Sequence, residues 1–250
     1  MAVAEPGRKP DLGIRTVTAI AIVVVAGLAL WLGDWWWRMF VIVVAIGVYA
    51  EWAMLSWRFA RQVGSRMLWL IWGVVYIGIG AATLAWLRDG TDGIGLAGSA
   101  IGAVIATDVG AYFAGRTIGG PRIAPSISPS KTWAGLGGGV FLAAVWMIVF
   151  SNFYASDAPL EGAVIDLREP ALMAVLGAMA AIIAQVGDFG ESWMKRRAGV
   201  KDSGKLLPGH GGLFDRVDGL IAVMFAIGIV PTSILLFALV TGEPLLPSAQ

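Results

Sequence analysis

Apolar and polar residues are arranged along this chain in long blocks. Seven stretches are almost wholly apolar: Ile14–Leu32, Trp35–Leu55, Met67–Leu87, Gly93–Gly115, Ala134–Tyr154, Pro170–Gly187 and Gly219–Val240. A helix needs roughly 20 mostly apolar residues to cross a bilayer. The pattern therefore predicts an all-α, polytopic integral membrane protein with about seven transmembrane helices. The first stretch is too long for a cleaved signal segment and lacks its small-residue cleavage pattern. We expect a single integral membrane domain over residues 1–250, with N-terminal spans in 1–107, catalytic motifs and loops in 108–218, and a last span and tail in 219–250.

Composition agrees. Hydrophobic residues make up 58% of the chain and charged ones only 14%, with a mean hydropathy of +0.77, against about 25% charged in soluble domains. No cysteine is present, which excludes disulfides, thiolate metal sites and a cysteine nucleophile. The net charge of +1 says less than its distribution. If the N-terminus is cytoplasmic, 15 of the 18 Lys and Arg residues fall in cytoplasmic segments, as the positive-inside rule requires. Only Arg38, Arg88 and Arg168 fall opposite, beside the acidic stretch Asp157, Glu161, Asp166 and Glu169. This predicts a multi-pass protein of the cell (inner) membrane, with its N-terminus and polar loops on the nucleotide-bearing cytoplasmic side.

The fourth stretch carries two signals. Gly98, Gly102, Ala106, Gly110 and Ala114 recur every four residues, a small-residue stripe suited to close helix packing or to a homodimer seam. Asp108 lies inside the same helix, where a carboxylate costs roughly 2.5–3.5 kcal/mol and usually faces a polar cavity or partner. Arg116, two turns on, marks the cytoplasmic end. Glu51, near the end of the second stretch, can reach the interface, so a structural role is at least as natural there.

The densest polar cluster runs from the sixth stretch to the seventh. Asp188, Glu191, Ser192 and Lys195 share one helix face by their spacing of three and four. Asp215 and Asp218 are three apart at the start of the seventh stretch. Mg²⁺ typically takes one or two carboxylates plus substrate phosphates, and Asp188, Asp215 and Asp218 suit that role. Lys195, Arg196, Arg197, Lys201, Lys205 and Arg216 lie among them and can hold phosphate oxygens. Gly209, Gly211 and Gly212 allow backbone N–H groups to approach an anion. A juxtamembrane patch for anionic headgroups would explain the basic residues, but not the three aspartates. GVKDSGKL resembles a phosphate-binding loop, yet Leu206 stands where the metal-binding hydroxyl belongs and no strand precedes it. His210 is the only histidine, so a zinc site is not expected; a hydrogen bond or phosphate contact suits it better.

A second polar segment, GRTIGGPRIAPSISPSKTWAG, follows the fourth stretch. Its prolines and glycines interrupt any helix. Ser128, Ser130, Lys131 and Thr132 gather before the fifth stretch, where a helix N-terminus attracts anions. Capping by Ser130 or Thr132 is the plainer alternative.

The run S-W-M-K-R-R-A-G-V-K-D-S-G-K-L-L-P-G-H-G-G-L-F-D-R-V-D, Ser192 to Asp218, closely resembles the signature of the phosphatidate cytidylyltransferase (CDP-diacylglycerol synthase) family. Q-V-G-D, D-V-G-A-Y-F-A-G-R and S-P-S-K-T are similar to that family too, so the likeness covers about Asp108 to Asp218. Two positions depart: Ala134 stands where the family commonly has glutamate, and Gly219 where it has serine. The resemblance implies that phosphatidic acid and CTP give CDP-diacylglycerol and pyrophosphate with Mg²⁺, in the bilayer and without nucleic acid, and it leaves a second cation open. It implies that Asp188 and Asp215 hold the metal, with Asp218 ligating it or orienting its waters. Lys195, Arg196, Lys201 and Lys205 would contact phosphates; Ser130, Lys131 and Thr132 would hold the lipid phosphate or part of the nucleotide. Asp108, Arg116, Ser192, His210, Gly211, Gly212 and Arg216 complete the expected substrate site. A CTP-dependent polyprenol or phytol kinase is the nearest alternative and a transporter a remote one, since no inverted repeat is visible.

Overall fold

The computed structural model of the chain describes residues 12–90, 92–155, 168–207, 209 and 211–241. Seven long helices run through them: α1 Leu12–Leu32, α2 Asp34–Phe59, α3 Val63–Leu87, α4 Gly93–Thr117, α5 Trp133–Ala155, α6 Arg168–Ala198 and α7 Phe214–Thr241. Among the described residues, α1 to α6 each contain a segment long and apolar enough to cross a membrane. The protein is all-α and polytopic, as expected. The seventh expected stretch lies within α7. Between α4 and α5 the proline- and glycine-rich segment forms a small antiparallel hairpin, β1 Arg122–Ala124 with β2 Ser128–Thr132. Arg122 faces Thr132 and Ala124 faces Ser128 across it.

The helix ends follow local chemistry. Gly33 takes φ +67° between α1 and α2, a left-handed conformation that suits glycine. The guanidinium of Arg88 crosses there and its Nε donates to the Leu30 carbonyl at 2.8 Å, satisfying one of the acceptors a helix end leaves open. Arg38 pairs with Asp89 at 3.0 Å at the same end of the bundle. The opposite end gathers the start of α1, the ends of α2, α4 and α6, and the start of α7.

Packing is tightest between α4 and α5, and small residues cause it. A Cβ on Gly110 would lie 2.3 Å from the Gly138 carbonyl oxygen, and one on Gly138 would lie 2.3 Å from the Ala114 Cβ. Gly102 leaves room for the Trp146 indole, which a Cβ would meet at 2.2 Å. Lipid tails give apolar helices little reason to associate, so backbone approach and van der Waals contact supply it. The small-residue stripe of α4 thus serves packing inside the chain. Around α2, α3, α6 and α7 the filling is different. Val48, Trp52, Leu55, Ile77, Met194, Phe214 and Ile221 form a core of large side chains, lying directly beneath the start of α7.

Candidate active site

Helix α6 continues 11 residues beyond the expected apolar limit at Gly187, reaching Ala198. Asp188, Glu191, Ser192 and Lys195 therefore lie on one continuous helix. Glycine brings α7 against them. A Cβ on Gly187 would stand 2.5 Å from the Ala222 Cβ and 2.8 Å from the Asp218 carbonyl oxygen. Gly219 lies against Ala184, where a Cβ would have 3.3 Å. That approach sets Asp188 opposite Asp218.

Asp188, Glu191 and Asp218 each bring one carboxylate oxygen to within 4.8 Å of the others. Three acids so close repel one another unless cations intervene. Two lysines stand at the edges. Lys131, from β2, pairs with Asp188 Oδ2 and donates to Gln185 Oε1 at 2.8 Å. Lys195 Nζ lies 2.5 Å from Glu191 Oε2. Glu191 is 1% exposed, yet neither of its oxygens accepts an aligned hydrogen bond. A buried carboxylate short of donors is costly. Ser192 Oγ reaches Asp188 Oδ1 at 3.4 Å. Asp218 accepts from the N–H of Gly219 at 2.8 Å. Burial and then the charge of Asp188 raise the Asp218 carboxyl above the usual carboxylate range.

Asp215, one turn earlier on α7, is in the reverse condition. Its Oδ1 accepts from Lys195 Nζ at 2.6 Å. Its Oδ2 accepts the Ser203 and Gly212 N–H groups, each at 2.9 Å. Burial alone would raise this carboxyl. Its contacts with Glu191 and Lys195 and the two backbone donors outweigh burial and hold it well below the usual range. Glu51 does similar work from α2. It is wholly buried and accepts from Leu213 N at 3.0 Å, Phe214 N at 2.8 Å and Ser203 Oγ at 2.8 Å. Those amides open α7, where the helix dipole also favours an anion. Ser203 Oγ lies 3.0 Å from Asp215 Oδ2 as well, and its single proton serves one carboxylate at a time. Glu51 and Asp215 together clamp the loop from Ser203 to Phe214. The loop closes around them: a Cβ on Gly204 would meet Glu51 Oε1 at 2.1 Å, and one on Gly212 would meet Ser203 Oγ at 1.9 Å.

Three cavities join at this cluster. One of about 390 Å³ is walled by Asp108, Asp188, Glu191, Lys195, Asp215 and Asp218. A second, about 350 Å³, shares Asp108 and Asp188 and runs between α4 and α5 past Arg116, Ser130, Lys131 and Thr132. A third, about 570 Å³, shares Asp202 and Arg216 with the first and adds Arg15, Lys201, Lys205 and Gly211. Asp108 is exposed within this polar space, which accounts for an acid placed inside an apolar helix.

Some expected residues turn elsewhere. Asp188 and Asp218 come together as anticipated, but Glu191 takes the third place rather than Asp215, whose oxygens are already engaged. The Gly212 N–H points at Asp215, so the anion cradled by this glycine turn is the protein's own. Arg196 donates from Nε to the Ile127 carbonyl at 3.1 Å and ties the hairpin to α6; it lines none of these three cavities. Arg116 donates to the Tyr112 hydroxyl at 3.2 Å. Thr132 Oγ1 accepts the Gly135 N–H at 3.1 Å and caps α5. His210 lies outside the described residues. Glu191 was legible as a member of the Asp188 face by spacing. Glu51 was not, because its partners are more than 150 residues away.

A profile of the cytidylyltransferase family matches residues 56–234. A Brucella suis protein named phosphatidate cytidylyltransferase is 31% identical over 96% of this chain and 97% of its own length. A Rickettsia bellii protein of the same name is 31% identical over 87% of this chain and 90% of its own. A Haemophilus influenzae protein of that name reaches 42% identity over 48% of this chain and 40% of its own.

Proposed function

The chain belongs to the cytidylyltransferase family, and on that premise we propose that it joins CTP to phosphatidic acid, yielding CDP-diacylglycerol and pyrophosphate. The observation that carries this reading is the row of joined cavities. A basic chamber with Lys201, Lys205 and Arg216 suits a triphosphate. A carboxylate chamber follows, and then a chamber between α4 and α5 that Ser130 and Lys131 line. The chambers sit at the end of the bundle that the charge pattern assigns to the cytoplasmic side of the inner membrane.

A phosphate oxygen of phosphatidic acid attacks the α-phosphorus of CTP, and the bond to the β-phosphate oxygen breaks as pyrophosphate leaves. A phosphate monoester is already a nucleophile near neutral pH, so the protein need supply no strong base. Two polyanions must instead be brought together, which makes positioning and charge neutralisation the main tasks. The residues fit a divalent cation such as Mg²⁺: three clustered carboxylates, one of them buried without an aligned donor, form a hard-oxygen site. Asp188, Asp218 and Glu191 would hold it. When bound, such an ion neutralises phosphate charge and polarises the phosphorus under attack. Lys131 sits between the lipid-side chamber and Asp188, placed to hold the lipid phosphate. Lys195 balances Glu191 and Asp215. Lys201, Lys205 and Arg216 neutralise the departing pyrophosphate, and Asp108 borders both inner chambers.

The test uses purified protein in detergent micelles with phosphatidic acid, radiolabelled CTP and Mg²⁺, alongside a chelator control. Metal-dependent formation of CDP-diacylglycerol is expected. Label that appears as the γ-phosphate on a polyprenol or phytol, with none as lipid-linked cytidylate, would overturn the reading in favour of a kinase.

A further inference from the structure

A separate cavity of about 670 Å³ opens at the same end of the bundle, on the side of α6 away from the carboxylates. Arg58 from the end of α2, Arg61 from the following turn and Arg197 from α6 converge on it. All three are exposed, and among the described residues no carboxylate lines the cavity. Its floor is a ring cluster. Phe59 meets Trp69 at 5.2 Å and Trp193 at 5.8 Å between centroids, and Trp69 meets Trp193 at 5.7 Å. The Arg197 guanidinium lies 5.2 Å over the Trp193 ring, a geometry that holds a cation while leaving its edge for an anion.

The same floor has a second face. Trp69 and Trp193 also line a mainly apolar groove of about 370 Å³ between α2, α3, α6 and α7, with Trp52, Trp72, Tyr76 and Phe225 along it and Glu191 on its inner wall. A cationic basin at the end of the bundle thus continues, across two shared indoles, into a mainly apolar groove between the long helices. A free nucleotide or inorganic phosphate would use only the basin. A molecule with a phosphate head and an acyl chain would use both. We propose that the Arg58–Arg61–Arg197 basin and the aromatic groove beneath it form a binding site for an anionic phospholipid, which adjoins the carboxylate chamber and shares only Glu191 with it. Arginine is suited to the phosphate, and basic clusters beside membrane helices attract anionic headgroups. Because Trp193 lies one position past Ser192 and two past Glu191, the bound lipid would brace the segment of α6 that carries the catalytic face.

The probe is phosphatidylglycerol, an anionic phosphodiester with no free phosphate monoester, set against phosphatidylcholine. The full chain in mild detergent is equilibrated with equal amounts of both, and retained lipid is counted by native mass spectrometry. We expect at least about ten-fold preferential retention of phosphatidylglycerol, in keeping with several arginines at an anionic headgroup. The preference should vanish when Arg58, Arg61 and Arg197 are all changed to Gln and largely persist when all three are changed to Lys. Thermal unfolding of each variant checks that it is folded. Turnover of the Gln variant in neutral micelles should stay within about three-fold of wild type, since none of these arginines lines the catalytic chambers. Equal retention of the two lipids by wild type, or an unchanged preference in the Gln variant, would overturn the proposal. So would a raised KM for phosphatidic acid in that variant, which would make the groove the substrate's own route. Self-association lost in the Gln variant would assign the face to a second copy instead. The binding readout needs no turnover, so it stands or falls apart from the proposed activity.

Discussion

Asp215 and Asp218 lie one turn apart at the start of α7, yet their surroundings are opposite. Asp215 accepts from a lysine, a hydroxyl and two backbone amides. Glu51, beside it, accepts from two amides and shares the single proton of that hydroxyl with Asp215. Asp218 has the N–H of its own neighbour and faces two further carboxylates. Glu191 has an ion pair and no aligned hydrogen bond. One pair of acids is saturated; in the other, Asp218 has a single neighbouring amide and Glu191 only the Lys195 ammonium. A saturated acid has its stabilisation within the fold and holds the loop. An acid short of donors at the wall of a polar cavity is stabilised only when something else arrives. This contrast divides the acids by role where residue type and spacing do not.

The largest effect should come from the clustered carboxylates that face the cavity. Asp188→Asn or Asp218→Asn should lower turnover by at least about 10³-fold, roughly 4 kcal/mol of transition-state stabilisation. Thermal unfolding of Asp218→Asn without Mg²⁺ should change little, because burial beside Asp188 already favours the uncharged carboxyl, whereas Asp188→Asn also loses its ion pair with Lys131. Turnover within ten-fold of wild type in both variants would remove Asp188 and Asp218 from the site.

Asp215→Asn should behave differently. Its amide nitrogen would face either the two backbone donors or Lys195, and breaking such a pair costs about 3–5 kcal/mol when fully buried. Asp215 keeps some exposure, at 11% for its side chain, so a loss near about 3 kcal/mol is expected. The unfolding midpoint should fall, and proteolysis between Ser203 and Phe214 should speed up. A variant as stable as wild type but inactive would place Asp215 among the clustered carboxylates after all.

Glu51→Gln should cost about 1–3 kcal/mol, the penalty for leaving one buried donor unmet. Its distinguishing readout is the split of kinetic constants. We expect kcat to fall about ten-fold while KM for CTP moves less than three-fold, since Glu51 touches the loop and lines none of the substrate chambers. Glu51→Asp, which keeps the charge, should recover part of the rate.

Much of this was legible in the sequence, for physical reasons. Spans declare themselves because a bilayer demands about 20 apolar residues in a row. The α6 face was readable because three-and-four spacing is a local rule, and it carried Asp188, Glu191, Ser192 and Lys195 together. The stripe on α4 was readable as a packing surface, though not that α5 would meet it with Gly138. The role of Glu51 was not readable, because a hydrogen bond from α2 to the start of α7 leaves no local pattern. The glycine turn misled for a related reason: Gly212 does present an N–H to an anion, but spacing cannot say whether that anion is substrate or Asp215. The hairpin was visible only as a break in helix, since five residues of β2 are too few for an alternation to show.

The smallest predicted effect tests the rule hardest. Thr132 lines the chamber between α4 and α5 and stands next to Lys131, which by position makes it a phosphate contact. Its hydroxyl oxygen, however, already accepts the Gly135 N–H as the cap of α5. By the contrast drawn from the acids, an oxygen so engaged acts in the fold first. Thr132→Ala should therefore lower stability by about 1 kcal/mol, the usual cost of a lost cap. KM for CTP and for phosphatidic acid should each move less than three-fold. Thr132→Ser keeps the oxygen and should restore the stability. A ten-fold rise in either KM, with the unfolding midpoint unchanged, would show that hydrogen-bond saturation does not separate structural from substrate-bearing groups in this site. The division between Asp215 and Asp218 would then need metal-binding measurements on each to support it.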